Sequence, residues 1–171
     1  MTRPAESGSA FVALGANLSG RHGDPHTTLK SALTELARLS REPLQVSPFY
    51  KSDPKDCPPG SPLYINAVAR LAPLSGEDPF SLLYKLQTIE TQFGRVRSGR
   101  VNEARTLDLD LLSFAEEYIA TEILVLPHPR AHERRFVLEP WITLVGQQWL
   151  LNGSTLGEWL DKCQDPPLVL L

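Results

Sequence analysis

The segment RTLDLDLL, residues 105–112, constrains the fold more strongly than any other part of the chain, because leucine and aspartate alternate in it. Successive side chains of a β-strand point to opposite faces of the sheet. Leu107 and Leu109 therefore predict one face packed against a core, whereas Asp108 and Asp110 share the other face, about 7 Å apart along the strand. Because an unpaired carboxylate is costly to bury, the pattern predicts a sheet whose second face opens into a cleft at this strand.

The other apolar segments alternate between the two-residue period of strands and the 3.6-residue period of helices. Helices are predicted to begin at Asp24-Pro25 and at Asp78-Pro79, where a capping aspartate precedes a first-turn proline. Strands are predicted at residues 10–14, 44–52, 64–73 and 106–114. The resulting order, β-α-β-β-α-β, predicts an α+β, ferredoxin-like sandwich with two helices on one face of an antiparallel sheet.

The segments outside this pattern are shorter. Residues 53–62 are dense in proline, glycine and aspartate and predict an irregular loop. The extra C-terminal elements are predicted as a short fifth strand at 116–119, a helix around 131–142 and a last short helix within 153–163. We expect residues 1–9 to be disordered and residues 10–171 to form a single domain.

The charge and the cysteines limit the classes of protein to which the chain can belong. The formal net charge of −3 predicts no overall attraction to nucleic acid or to an anionic membrane, so any anion site must be local. No apolar run reaches the ~18 residues that cross a bilayer. Cys57 and Cys163 lack metal-ligand spacing, and we expect both to be reduced thiols in a cytoplasmic protein. The glycine-lysine motif of a P-loop nucleotide site is absent.

Four arginines, Arg95, Arg97, Arg100 and Arg105, lie in a glycine-containing loop that runs directly into the aspartate strand. Paired carboxylates suit Mg²⁺, which prefers oxygen ligands, and arginines neutralise and bind phosphate oxygens. Together the two features favour Mg²⁺-dependent phosphoryl or nucleotidyl transfer. Taken separately, an aspartate face on a half-exposed strand and a solvated basic loop account for the same residues.

Three other clusters carry weaker signals. The turn at residues 15–17, after the first strand, is typical of a plain chain reversal. The stretch PHPRAHERRF supplies five cationic or titratable side chains, of which one or two are candidate ligand contacts, although helix ends and surface loops explain such residues as well: His128, Arg130, His132, Arg134 and Arg135. Tyr64 and Asn66 share one face of the third strand, where they offer a stacking ring and an amide, or belong to an ordinary half-buried strand.

Five segments, in this order, resemble those of the 6-hydroxymethyl-7,8-dihydropterin pyrophosphokinase family. They are ALGANL, SPFYKS, PLYINAVARL, IETQFGRVRSGRVNEARTLDLDLLSF and LPHPRAHERRFVLEP, and they extend over roughly residues 10–142. The fourth is the most specific, because the family joins an arginine loop to an R-T-x-D-x-D strand. The resemblance implies transfer of a pyrophosphoryl group from ATP to the hydroxymethyl oxygen of the pterin, with release of AMP, in folate biosynthesis.

The resemblance also implies a role for each matching residue. Asp108 and Asp110 are implied as ligands of two Mg²⁺ ions bound with ATP. The implied catalytic residues are these two aspartates together with Arg95 and Arg105. ATP binding is implied for Glu90, Arg95, Arg97, Arg105, His128 and Arg134. Pterin binding is implied for Ser52, Pro54, Tyr64, Asn66 and Phe136, with the two rings enclosing the pterin and the amide of Asn66 reading its edge. The implied partners are ATP and the pterin. The mild net charge predicts neither nucleic acid nor membrane as a partner, and nothing in the sequence demands more than a monomer.

The sequence departs from the family in the arginine loop, where Asn102-Glu103-Ala104 replaces an aromatic residue followed by Gly-Pro. Two other classes compete with the pyrophosphokinase interpretation. Nucleotidyltransferases place a Gly-Ser turn shortly before their carboxylates, whereas Gly15 lies about ninety residues upstream of Asp108. Nucleic-acid-binding modules of ferredoxin-like fold display aromatic residues on the central strands, where this chain has carboxylates.

Overall fold

The structure, a computed structural model, describes residues 8–96, 99 and 104–171. Its strands are β1 (Ala10–Ala16), β2 (Gln45–Val46), β3 (Tyr50–Ser52), β4 (Tyr64–Leu71), β5 (Asp108–Phe114), β6 (Ile119–Ala120), β7 (Val125–Leu126), β8 (Leu150–Leu151), β9 (Ser154–Thr155) and β10 (Val169–Leu170). The main sheet is antiparallel, with strand order β10-β3-β4-β1-β5, and β2 also pairs with β4. The strands β6–β7 and β8–β9 form two separate hairpins.

Helices α1 (Pro25–Ala37) and α2 (Pro79–Gln92) cover the first face of this sheet. Each begins as the sequence predicts: Asp24 and Asp78 accept hydrogen bonds from first-turn backbone amides, and a proline follows each cap. The main core lies between the two helices and the sheet, and includes Val12, Leu14, Leu29, Leu36, Leu82, Leu86, Leu107, Leu109 and Leu111. The alternate leucines of β5 thus face the core, as predicted.

The second face is covered over only part of its area. Helices α3 (Arg135–Val145) and α4 (Leu156–Lys162) pack there around the fully buried Trp141, against Phe11 of β1 and Val68 of β4. The opposite ends of β1, β4 and β5 remain open on this face, and Asp108 and Asp110 lie there. The α+β, ferredoxin-like arrangement with extra C-terminal elements is therefore confirmed, and the open end of the second face positions the site.

Several predicted boundaries are wrong. The first strand does not stop at residue 14 but continues through Gly15, which pairs with both β4 and β5. The predicted strand 44–52 is two strands, β2 and β3, because the chain leaves the ladder around Pro48. The predicted strand 116–119 contributes only its last residue to β6, and the predicted helix around 131–142 is a 3₁₀ turn at Ala131–Glu133 followed by α3.

The two chain ends also differ from the sequence-based expectation. Strand β10 was not predicted: it adds to the edge of the sheet by pairing Val169 with Lys51 of β3. Of the segment 1–9, residues 1–7 lie outside the described residues, whereas Ser9 is buried and its Oγ accepts a hydrogen bond from Nε of Arg70 at 2.8 Å. Over the described part of the chain, every helix is too short or too polar to cross a membrane.

Candidate active site

A cleft, here called the first cavity, lies on the second face of the sheet where α3 leaves it uncovered. Its floor is formed by β1, β4 and β5, and its walls by the loop after β3 and by the start of α3. Its unfilled space, open to solvent on one side, is about 660 Å³. Four of the residues implied in pterin binding line it: Ser52, Tyr64, Asn66 and Phe136.

A second cavity, also open to solvent and with about 770 Å³ of unfilled space, adjoins the first and is formed by α2, β5 and the β6–β7 hairpin. Three of the residues implied in ATP binding line it: Glu90, Arg95 and His128. Asp110 lines both cavities. Arg105 and Arg134, which are also implied in ATP binding, line the first cavity instead. The residues assigned to the two substrates therefore divide only in part between two adjacent cavities, which meet at one of the paired carboxylates.

The two aspartates of β5 differ in their ion pairs. Asp108 Oδ1 accepts a hydrogen bond from Nη1 of Arg95 at 2.8 Å and lies 2.9 Å from Nη1 of Arg105. Asp110 Oδ2, by contrast, lies 3.7 Å from Nη1 of Arg134. The charge of Asp108 is therefore well neutralised within the protein, while that of Asp110 is only weakly neutralised.

Glu90 of α2 contacts the aspartate-bearing end of β5 from the core side of the sheet. Only 2% of its surface is exposed. Its Oε1 accepts a hydrogen bond from the backbone amide of Leu109 at 2.8 Å and another from Nη1 of Arg95. Because buried carboxylate oxygens require hydrogen-bond donors, these two contacts hold Arg95 and the strand segment that carries both aspartates in place.

The donor set at the junction of the cavities fits a hard divalent cation. Partial burial and the charge of Asp108 raise the pKa of Asp110 to about 7, and Arg134 only partly opposes them. A cation would relieve that repulsion, and carboxylate oxygens suit Mg²⁺. Among the described residues, no three His, Cys, Asp or Glu side chains are grouped as a complete metal site. The two aspartates fit an ion that takes its other ligands from phosphates and water, as Mg²⁺ commonly does.

The floor of the first cavity is polar and preorganised. Asn66 Nδ2 donates a hydrogen bond to Ser52 Oγ at 2.7 Å, and both side chains are buried. Burial raises the pKa of Tyr64 to about 12, so its ring is uncharged at neutral pH. A Cβ added at Gly15 would lie 3.4 Å from Asn66 Oδ1 and 3.7 Å from the Tyr64 ring, so glycine keeps this floor open.

His128 carries its proton on Nε2. Its Nδ1 accepts a hydrogen bond from the backbone amide of Arg130 at 3.2 Å, which leaves Nε2 as the donor. Burial and the neighbouring Arg134 lower the pKa of His128 to about 4, so the imidazole is neutral at pH 7. His128 can therefore donate one hydrogen bond to an anionic ligand in the second cavity.

The turn after β1 holds the start of β5 in place. Asn17 Oδ1 accepts a hydrogen bond from the backbone amide of Arg105 at 2.8 Å, and the amides of Asn17 and Leu18 both donate to the Arg105 carbonyl at 3.1 Å. Asn17 Nδ2 donates to the carbonyl of Pro62 at 3.2 Å. The sequence-based interpretation of residues 15–17 as a plain turn is therefore incomplete, because Asn17 joins the Arg105 segment to the loop that walls the first cavity.

Of the other residues assigned to the site from the sequence, one lines the first cavity, one does not, and one lies outside the described residues. Arg134 lines the first cavity, with its Cζ 5.6 Å from the centre of the Phe136 ring. Pro54 is not among the described lining residues of that cavity, although its neighbours Asp53 and Lys55 are. Arg97 lies outside the described residues, as do Arg100, Asn102 and Glu103.

Three other residues line the first cavity: Lys55, Cys57 and Arg130. Lys55 and Cys57 belong to an irregular loop without periodicity, so no pattern predicts where their side chains point. Arg130, by contrast, belongs to the cation-rich stretch PHPRAHERRF that the sequence singles out. Cys57 and Cys163 are both free thiols, as expected.

An antiparallel α+β sandwich with an arginine-lined carboxylate pair where two cavities meet is typical of an enzyme that acts on phosphate-bearing substrates. Sequence comparison identifies the particular family: residues 11–146 match the model of 7,8-dihydro-6-hydroxymethylpterin-pyrophosphokinase. The chain belongs to this family, as its motifs indicate.

Full-length relatives support this assignment. The chain is 38% identical to a Haemophilus influenzae protein named 2-amino-4-hydroxy-6-hydroxymethyldihydropteridine pyrophosphokinase, over 95% of this chain and 98% of that protein. It is 40% identical to the Pseudomonas aeruginosa protein of the same name, over 90% of each. It is also 30% identical to a folate synthesis bifunctional protein of Arabidopsis thaliana, over 86% of this chain and 29% of that protein.

Solved structures support the fold. A structure described as HPPK-DHPS in complex with substrates superposes with a TM-score of 0.70 at 12% identity, over 90% of this chain and 43% of that one. The Plasmodium falciparum HPPK-DHPS with pterin and p-hydroxybenzoate superposes with a TM-score of 0.68 at 14% identity, over 94% of this chain and 44% of that one. The chain spans less than half of these bifunctional proteins, and at such identity the likeness concerns the fold alone.

Proposed function

We propose that this chain transfers a pyrophosphoryl group from ATP to the hydroxymethyl oxygen of 6-hydroxymethyl-7,8-dihydropterin, giving AMP and the pterin diphosphate. The pyrophosphokinase family to which the chain belongs supports this reaction, as does its likeness to proteins named for folate synthesis. The observation that carries the proposal is the meeting of two cavities at Asp110. Transfer between two substrates requires their reacting atoms to lie side by side, and adjacent cavities satisfy that requirement.

The first cavity is proposed to bind the pterin. Tyr64 and Phe136 provide rings to enclose a flat heterocycle. Asn66, held by its hydrogen bond to Ser52, provides a fixed amide for the edge of the pterin. Pro54 is proposed to contribute to pterin binding only indirectly, by shaping the backbone of the loop that also carries Lys55.

The second cavity is proposed to bind ATP, whose triphosphate would extend towards Asp110. Arg95 and His128 line it and donate hydrogen bonds suited to phosphate oxygens. Arg105 and Arg134, at the junction, would neutralise the β- and γ-phosphates; Arg97 is proposed to assist from the preceding loop. Glu90 would act on the nucleotide indirectly, by orienting Arg95.

Two Mg²⁺ ions with ATP are proposed to be held by Asp108 and Asp110, where they would neutralise the negative charge of the phosphates. The arginines then have two tasks. Arg95 and Arg105 balance Asp108 in the ligand-free protein, and with a triphosphate present their remaining N–H groups bind phosphate oxygens. In the reaction the hydroxymethyl oxygen forms a bond to the β-phosphorus, and the bond from that phosphorus to the oxygen kept by AMP breaks.

The decisive assay measures the products directly. Purified protein is incubated with Mg²⁺, ATP and the pterin, and AMP and the pterin diphosphate are quantified by liquid chromatography and mass spectrometry. We expect one AMP per pterin diphosphate, and we expect Asp110→Asn to remove more than 99% of the activity, as loss of a metal ligand should. The control is Asp161→Asn, an exposed carboxylate of α4 outside both cavities. Free pyrophosphate with an AMP-linked product would instead demonstrate a nucleotidyltransferase.

A monomer acting in the cytoplasm is proposed as the working form. The two cysteines are unpaired, as in proteins of reducing compartments. Size-exclusion chromatography with light scattering, at the concentration used in the assay, tests the monomer.

A further inference from the structure

Asp165, in the segment between α4 and β10, connects two separate walls of the first cavity. Its Oδ1 lies 2.8 Å from Nζ of Lys55, in the loop after β3. Its Oδ2 accepts a hydrogen bond from the backbone amide of Arg135 at 3.1 Å, and its carbonyl accepts one from Nε of Arg135 at 3.0 Å. Three polar contacts therefore join this C-terminal residue to the loop and to the first residue of α3.

Both partners of Asp165 lie next to side chains of the first cavity. Lys55 itself lines the cavity, between Asp53 and Cys57 of the same wall. Arg135 lies in sequence between Arg134 and Phe136, which form the opposite wall. A change at Asp165 would therefore alter the separation of the two walls, although Asp165 is not among the residues that line the cavity.

The contacts of Asp165 are partly shielded from water and are supported by their surroundings. Its side chain is 18% exposed. Burial alone would raise the pKa of Asp165, but the hydrogen bonds from Lys55 and from the Arg135 amide outweigh it and hold the pKa below its usual value. Lys55 Nζ also donates to the carbonyl of Glu133 at 2.7 Å, which ties the loop to the 3₁₀ turn before α3.

The C-terminal segment is anchored to the same wall a few residues later. Val169 pairs with Lys51 of β3, and the backbone amide of Leu171 donates to the carbonyl of Phe49 at 3.0 Å. Strand β3 ends at Ser52, where the loop of the first cavity begins. The segment therefore spans from the start of α3 to the strand that leads into the loop, with Asp165 as its charged contact.

We propose that Asp165 is a positioning residue for the pterin: it fixes the loop after β3, through Lys55, against the N-terminus of α3, and so sets the width of the first cavity. The inference rests on the proposed function, because it takes the first cavity as the pterin site. It predicts a selective effect: the second cavity shares none of these contacts, so pterin binding should be weakened much more than nucleotide binding.

The test compares Asp165→Asn with Lys55→Met and with the double variant. The dissociation constant of the pterin is measured by fluorescence titration with a non-hydrolysable ATP analogue present, and that of the analogue is measured alone. We expect each single variant to weaken pterin binding by about 10-fold, as loss of a charged hydrogen bond does, with the analogue unchanged within about twofold. The double variant should be no weaker than Lys55→Met alone, because that change already removes the contact with Asp165, together with the one to the Glu133 carbonyl.

Glu139→Gln is the matched control. Glu139 accepts from Nη1 of the same Arg135 at 2.7 Å and is similarly exposed, at 25%, but has no contact with Lys55 among those described. It should leave pterin binding unchanged within about twofold. Asp165→Glu, which keeps the charge on a longer side chain, should restore part of the affinity.

Three results would overturn the inference: unchanged pterin affinity in Asp165→Asn, an equal loss in analogue affinity, or multiplying effects in the double variant. If Asp165→Asn fails to fold by circular dichroism, Lys55→Met decides, because that side chain belongs to a loop. Failure of the wild-type protein to bind the pterin, or to release AMP with it, would refute the proposed function itself. The two failures are therefore distinguishable.

Discussion

The carboxylate of Glu90 accepts a hydrogen bond, at 2.8 Å, from the backbone amide of Leu109, the residue that separates Asp108 from Asp110. The same oxygen accepts a hydrogen bond from Arg95. One buried side chain of α2 therefore fixes both the strand that carries the two aspartates and an arginine that neutralises the first of them. Preorganisation of this kind lowers the cost of assembling a charged site when the substrates bind.

Glu90→Gln tests this role of the buried carboxylate. The amide keeps an oxygen for the Leu109 amide but loses the charge that holds Arg95, so we expect the free energy of unfolding to fall by about 1–3 kcal/mol. We expect kcat/KM for ATP to fall by at least about 10-fold, because Arg95 loses its orientation. Urea denaturation and steady-state kinetics measure the two effects. The control is Glu35→Gln, which removes an exposed ion pair to Arg38 and should change stability by less than about 0.5 kcal/mol.

Asp110 should make the ligand-free protein less stable at alkaline pH. Its pKa is raised from 3.8 to about 7, so the folded state favours the protonated form. The stability associated with that proton is fully present below pH 3.8 and is lost as the pH rises through 7. Asp110→Asn should therefore raise the free energy of unfolding at pH 8, on the order of 2 kcal/mol because the side chain is 32% exposed, and hardly change it at pH 4.

The comparison of the two aspartates sharpens this test. Asp108→Asn removes the partner of both Arg95 and Arg105, so it should lower stability at pH 8 while Asp110→Asn raises it. Both variants should lose turnover. Chemical denaturation at pH 4, 6 and 8 without metal measures the profiles. An Asp110→Asn protein with the wild-type pH profile would contradict the assignment of this carboxylate as weakly neutralised.

Sequence patterns predicted those parts of the site that depend on local geometry. The two-residue period of β5 correctly placed Leu109 in the core and both aspartates on the open face, because side-chain alternation is a property of any strand. The capped starts of α1 and α2 also depend on local geometry, since Asp24 and Asp78 accept hydrogen bonds from amides only two or three residues away.

The parts that depend on distant contacts could not be predicted in this way. Asn17 and Arg105 are 88 residues apart in sequence, and no periodicity relates a turn after β1 to the start of β5. Asp165 lies in a proline-containing stretch between two short elements, so neither its contact with Lys55 nor strand β10 has a local signal. Local patterns and the family resemblance therefore predict which residues belong to the site, whereas contacts between distant segments determine how those residues are held.

Asn17 should control activity through the backbone of Arg105. Asn17→Ala removes the acceptor for the Arg105 amide and the donor to the Pro62 carbonyl, so we expect kcat/KM to fall by about 10-fold and stability by about 1–2 kcal/mol. Asn17→Asp keeps the acceptor and loses only the donor. Asn17→Asp should retain most of the wild-type kcat and differ from the wild type chiefly in KM for the pterin, since Pro62 belongs to the loop that walls the first cavity. Equal kinetics in the two variants would refute a separate role for the Arg105 contact.

His128 should contribute to loss of stability in mild acid, because the fold lowers its pKa from 6.5 to about 4. The unfolded chain then binds the proton more readily than the folded one, so the stability present above pH 6.5 is lost progressively as the pH falls towards 4. His128→Asn keeps an oxygen in place of Nδ1 for the Arg130 amide but does not titrate. Its free energy of unfolding should therefore fall less than that of the wild type between pH 6.5 and 4.5, as measured by urea denaturation. His26→Asn is the control, because His26 is a histidine outside both cavities. If His128→Asn lost as much stability in acid as the wild type, groups other than His128 would cause the acid sensitivity.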